Sequence, residues 1–251
     1  MELRETTREV LAQVEQITGF PAVVVSEADM PVLSTASMAS SVRPGHVIRY
    51  HPSVAEQVDY FVTFQCGFIL RHYDCAPEDR RQCGPTESGL YSVEKLLRNS
   101  PAKSLSSADL LRFRDQLLKS LVTHLRSVPI GMRVDRWIAQ DHSVLAEAQR
   151  TAIERQLQQN MSLFDSPARK SIPPKIVADS MAISSAFAEF WAERWNEPEL
   201  LVPYTTSGYA MKGRELLEIW KAMPDSGKDD YALIDAWGVS LGIEKWYHWV
   251  P

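Results

Sequence analysis

The sequence predicts an α+β protein: a small N-terminal sheet carrying one enclosed helix, then a mostly helical C-terminal lobe. Three observations carry this. Short β-branched runs and turn signals crowd about the first fifty residues, among them Ala22–Val25 and Val47–Tyr50. Asp59 to His72 (Asp-Tyr-Phe-Val-Thr-Phe-Gln-Cys-Gly-Phe-Ile-Leu-Arg-His) is apolar on most sides of a helical wheel, the mark of a helix buried among its neighbours. Beyond residue 100 the apolar positions recur at helical spacing with few interruptions.

Residues 2–17 form an amphipathic helix whose apolar face is Leu3, Val10, Leu11, Val14 and Ile17. Gly19 stops it and Pro21 follows. Ala22–Val25 is a first strand, Met30–Thr35 a second opened by Pro31, and Val47–Tyr50 a third. Ser34–Ser41 is small and polar, which suits an exposed loop, and Pro44-Gly45 is a turn. Ser53 is placed to cap the enclosed helix. Residues 73–85 read as a charged loop, and Leu90–Leu97 as a short helix broken by Ser100-Pro101.

Ser106–Asp109 has the form of a capping box. It opens a helix with Leu110, Leu111, Phe113, Leu117, Leu118, Leu121, Val122 and Leu125 apolar, which Val128–Gly131 is expected to end. Met132–Ala139, His142–Phe164, Lys175–Trp195, Arg214–Met223 and Asp229–Leu241 are further helices. Residues 202–211 read as an irregular connection. Ser166–Pro174, with three prolines, reads as a hinge. The division expected is an α+β region over 1–100 and a helical lobe over 101–251.

Composition narrows the function. The chain is 45% hydrophobic and 24% charged, an ordinary globular balance. A net charge of −5 without a long basic run argues against a dedicated nucleic-acid binder. No apolar segment approaches the ~20 residues that span a bilayer. The charged start Met1-Glu2-Leu3-Arg4-Glu5 reads as helix rather than secretion signal. Three cysteines without a disulfide framework suit a reducing, cytoplasmic setting. All seven tryptophans (137, 191, 195, 220, 237, 246 and 249) fall in the second half, as a helical core or a contact surface. The aromatic tail Ile243–Pro251 either packs back on the body or docks a partner through Trp246 and Trp249.

The candidate chemistry lies at Phe64-Gln65-Cys66-Gly67-Phe68. In the zinc motif His-Glu-x-x-His, imidazoles at i and i+4 share a helix face and hold the metal, and the Glu takes a proton from the bound water. Here phenyl rings stand at both ligand positions, and an amide stands at the base position. Taken alone, two aromatics one turn apart are an ordinary core pattern. With its flanks, Asp59-Tyr60-x-Val62 before and Ile69-Leu70-Arg71 after, the stretch resembles the active-site helix of the ImmA/IrrE-like metallopeptidases. Both ligands and the base are replaced, and Gly67 stands at the family's small-residue position.

The order helix, short strands, motif helix also resembles a minimal zincin over about residues 1–80. The resemblance implies a zincin-like fold with no catalytic residue, metal or cofactor, and hence an inactive regulatory component that binds a protein or peptide. In such a fold an edge strand beside the cleft pairs with an extended segment, and Val47, Ile48, Arg49 and Tyr50 are expected to supply it. The family's downstream Glu ligand has no matching residue. Ser180–Trp191 resembles the helix that bears it but lacks a Glu at the right place.

Three alternatives stay open. One is a scaffold protein of no peptidase ancestry, contacting partners through Trp246 and Trp249. Another is an enzyme of unrelated chemistry, although no G-x-S-x-G, glycine-rich phosphate loop or C-x-x-C occurs. The last is structural zinc on Cys66, His72, Cys75 and Cys83, whose spacing lacks the usual close cysteine pair. Asp229, Asp230 and Asp235 resemble a carboxylate cluster but do not share one helix face, and Asp229 and Asp230 read as solvated charges at a helix start. A protein partner is expected and a membrane is not. Oligomeric state is left open.

Overall fold

The computed structural model describes residues 2–40, 42–165 and 167–250, without the side chains of 162–168. In chain order the elements are α1 (Glu5–Thr18), β1 (Ala22–Ser26), β2 (Ser34–Ser37), β3 (His46–Tyr50), α2 (Val58–Tyr73), β4 (Gln82–Pro85) and α3 (Glu87–Arg98). There follow α4 (Ser107–Asp141), α5 (Ala146–Asp165), α6 (Pro174–Trp195), α7 (Val202–Thr206), α8 (Ala210–Ala222), α9 (Asp230–Leu241) and β5 (Tyr247–Val250). The class is α+β, with a small three-stranded sheet near the N-terminus and a mostly helical remainder. No helix among the described residues is long and apolar enough to cross a membrane.

Two compact units form, and both are discontinuous in sequence where one cut at residue 100 was expected. The first comprises Met1–Arg80, Ile130–Arg155 and Ser226–Lys228; the second comprises Arg81–Pro129, Gln156–Asp225 and Asp229–Pro251.

In the first unit α1 lacks a capping side chain of its own at Arg4. Asp59 of α2 does that work from a distance: its Oδ1 accepts from the Arg4 N–H at 2.8 Å and from Thr7 Oγ1 at 2.7 Å. The sheet order is β1-β3-β2. β1 runs parallel to β3 (Ala22↔His46 to Ser26↔Tyr50), and β2 runs antiparallel to it (Ser34↔Tyr50 to Ser37↔Val47). On β3, His46, Ile48 and Tyr50 are buried while Val47 and Arg49 are half-buried on the opposite face. Helices α1 and α2 pack against each other, and α2 packs on β2 and β3.

Several local expectations change. β3 is the central strand, not an edge, because it pairs with β1 on one side and with the antiparallel β2 on the other. The second strand is Ser34–Ser37, within the stretch read as loop, while 31–33 are bends. Its polar Ser-Thr-Ala-Ser sequence hid it; pairing rather than side-chain burial holds it there. Ser53 does not cap α2. A 3-10 turn over Pro52–Gln57 intervenes, and the Ser53 N–H donates instead to His51 Nδ1 at 3.1 Å. Residues 73–85 contain β4 as well as a 3-10 turn.

Val128–Gly131 does not end a helix. α4 runs for 35 residues with Pro129 inside it. Proline lacks the N–H that would close one helical turn, but the helix continues past it. The Trp220 indole N–H donates to the Pro129 carbonyl at 2.9 Å, within the second unit.

The core of that second unit is α6, in which every residue from Met181 to Ala192 is buried. It packs along α8, with Phe190 edge-on to both Trp191 and Trp220. Residues 202–211 include the short helix α7. Of the expected hinge, Ser166 lies outside the described residues, 167–171 form a 3-10 turn, and α6 begins at Pro174. The tail is a strand: β5 pairs antiparallel with β4, from Gln82↔Val250 to Pro85↔Tyr247.

Candidate functional site

The motif positions lie on α2 in the first unit. Phe64 and Phe68 sit one turn apart, both half-buried, with their rings edge-to-face at 5.2 Å. Tyr60 extends the row, its ring 5.7 Å from Phe64. Facing them is Gly131 of α4: a Cβ added there would stand 3.2 Å from Phe64 Cζ and 3.9 Å from Phe68 Cζ. The helices come closer still at Gly67, where a Cβ would lie 2.5 Å from Val134 Cγ1. Gly67 and Gly131 are small because another chain segment fills the space a side chain needs.

One turn beyond Gly131, Asp135 is almost wholly buried. Its Oδ1 accepts from the Tyr60 hydroxyl at 2.8 Å and from Gln149 Nε2 at 3.0 Å. Burial, and then the neighbouring Asp135 carboxylate, pushes the Tyr60 hydroxyl well above its ordinary range. This network ties α2, α4 and α5 together beneath the phenyl row.

Gln65 points elsewhere, since adjacent helical positions are about 100° apart. Its Nε2 donates to Ser34 Oγ of β2 at 2.8 Å. The edge strand beside the motif helix is therefore β2. Val47, Ile48, Arg49 and Tyr50, expected to form that edge, are hydrogen-bonded to strands on both sides. Arg49 Nη1 donates to Ser37 Oγ at 3.0 Å, and its Nε pairs with Glu27 at 3.0 Å.

The motif positions bring no metal-ligating side chain. Positions 64 and 68 offer carbon, position 65 an amide already bonded, and position 131 no side chain. Among the described residues, no three of His, Cys, Asp or Glu are grouped to hold a metal. Cys66, His72, Cys75 and Cys83 form no such group. Burial pushes the Cys66 thiol up to about 12 and the Cys83 thiol up to about 11. Ser180–Trp191, considered for a further ligand, is part of α6.

In the second unit the tail is engaged with its own body. Trp246 is buried, while Trp249 donates its indole N–H to Asp235 Oδ1 at 2.9 Å and rests edge-on to Tyr231 at 4.8 Å. The Tyr247 hydroxyl reaches the same Asp235 oxygen at 2.9 Å. Asp230 is buried, so it is not a plain solvated charge, and Asp235 fixes the tail. An open groove of about 440 Å³ follows Gln116, Lys119, Ser120, Thr123, His124 and Ser127 on α4. Burial lowers His124 to about 4. Those lining residues bring no carboxylate or thiol to it.

Gly131 and Asp135 were missed from the sequence. Gly131 followed a proline and looked like a terminator. Comparison with family models, with curated proteins and with solved structures returns no match.

Proposed function

We propose that the first unit is a metallopeptidase-like scaffold that has lost its chemistry and binds an extended protein or peptide segment along β2. One observation carries it: the residue facing both motif positions is Gly131, so each place from which a zinc ion would be held supplies no donor. The phenyl rings of Phe64 and Phe68 occupy the space. The sheet supports the binding half of the reading. The His51 N–H donates to the Leu33 carbonyl, so alternation along β2 aims the N–H and C=O groups of Ser34 and Ala36 outward. No strand among the described residues pairs with that edge, and main-chain pairing is how an exposed edge takes up a peptide.

The ancestry is tested by zinc calorimetry on two variants. Phe64→His, Gln65→Glu and Phe68→His together are expected to leave zinc unbound. Adding Gly131→Glu is expected to give one-to-one uptake, because shortening Phe64 frees the room a side chain at 131 needs. A folded quadruple variant that takes up no zinc would sink the ancestry. Binding is tested by selecting random peptides on the full chain and following amide resonances. Shifts at Ser34 and Ala36, abolished by Ala36→Pro, are expected. Peptides that shift only residues of the second unit would refute the assigned surface.

A further inference from the structure

The opposite edge of the same sheet has a different character. β1 is Ala22-Val23-Val24-Val25-Ser26, and among the described residues no strand pairs with its outer side. Its hydrogen-bonding phase is fixed by two contacts: the His46 N–H donates to the Pro21 carbonyl at 2.8 Å, and the Glu27 N–H donates to the Tyr50 carbonyl at 3.0 Å. In a parallel ladder the groups of alternate residues face the partner. Val23 and Val25 therefore bond to β3, and Ala22, Val24 and Ser26 present N–H and C=O groups to the free side. Val23 and Val25 also expose their side chains, at 55% and 38%.

Exposed edges normally carry a guard such as a lysine, an inward charge, a bulge or an internal proline. β1 has none, and its register with β3 is unbroken. β2, by contrast, is short and polar. The unguarded strand is also nearly symmetric about Val24. An antiparallel copy placed on a two-fold axis there sets Ala22 opposite Ser26, Val24 opposite Val24, and Val23 opposite Val25. The three outward residues meet in hydrogen-bonded pairs, each exchanging two bonds, roughly six in all. The exposed valines meet side by side on one face. The stretch from Gly19 to Ser26 carries no charge, so two chains of net charge −5 approach there without local repulsion.

From this we infer that β1 is a self-association edge: two copies of the chain pair antiparallel through β1 and join their sheets into one of six strands. The same patch on both copies is what a two-fold contact requires. A five-residue strand pair buries less than the ~1,200 Å² of a standard stable interface, so the dimer forms and dissociates with concentration.

Sedimentation equilibrium of the full chain reads this directly. The mass is expected to rise from one chain to two with concentration. Val23→Lys with Val25→Lys places like charges opposite each other and is expected to leave a monomer. Val23→Lys with Val25→Glu places each lysine opposite a glutamate and is expected to keep the dimer. Val24→Pro removes an outward N–H that β3 does not use, and is expected to raise the dissociation constant at least tenfold. Amide exchange at Val23 and Val25, whose N–H groups bond β3, reports that each variant keeps its sheet. A chain that stays monomeric, a dimer that survives the double lysine variant, or a chain that captures foreign peptides at β1 without pairing with itself overturns the inference.

Discussion

Two helices look alike in sequence and differ in use. α2 and α6 are both apolar most of the way round, and each is the helix its own unit packs upon. α6 is closed: Met181 to Ala192 are buried without a break. α2 is buried on its sheet side but leaves Phe64, Gln65 and Phe68 half-exposed at the positions where a peptidase would do its chemistry. The difference teaches that burial alone does not mark a core helix. Under the function proposed above, a lost site would be a row of aromatics that fills space without being fully enclosed, opposite a residue with no side chain.

The sharpest way to break this comparison is to make the same change in both helices. Phe187→Ala on α6 empties a closed core position and is expected to cost about 3–5 kcal/mol in chemical denaturation. Phe64→Ala on α2 is expected to cost roughly 1–2 kcal/mol, because water already reaches part of the ring. Equal losses would mean that the phenyl row is ordinary core. Between these lies Gly67→Ala, which overpacks α2 against Val134 and is expected to cost about 1–3 kcal/mol by the same measurement. A neutral result would show that α2 and α4 separate readily.

The smallest effect concerns the sheet side of α2 and depends on pH. His46 is buried, accepts the Ala39 N–H at Nδ1 (3.1 Å) and lies 3.0 Å from Thr18 Oγ1 through Nε2. That pattern requires a neutral ring with its proton on Nε2. Tyr73 packs edge-on to it from α2, and Phe20 from the other side. Burial, and then the Arg43 guanidinium, lowers its pKa below the usual 6.5. The unfolded chain therefore binds the proton first. Stability is complete above pH 6.5 and falls as pH drops through 6.5 toward the folded value, by about 1.4 kcal/mol for each unit of lowering. His124 and His142 are shifted the same way, so His46→Gln is expected to flatten the slope of stability against pH only in part. An unchanged slope in urea titrations would remove His46 from this role.

Much of the helical framework was legible. α1 ends at Gly19, and the buried face of α2 follows from residues a turn apart. The aromatic tail packs back, as its composition allowed. Other features were not legible. β2 carries no apolar alternation, so pairing alone defines it. Pro129-Ile130-Gly131 has the grammar of a helix end, yet α4 runs through it.

The sequence alone determined where most helices form, because turn-to-turn periodicity and capping are written within a few residues of each other. Only the tertiary structure decided that β3 lies between two strands, that Asp59 caps a helix 55 residues before it, and that Gly131 faces Phe64. Those pairings join distant parts of the chain. The burial that drives them rewards any well-fitting apolar partner, so no local pattern names which one is chosen.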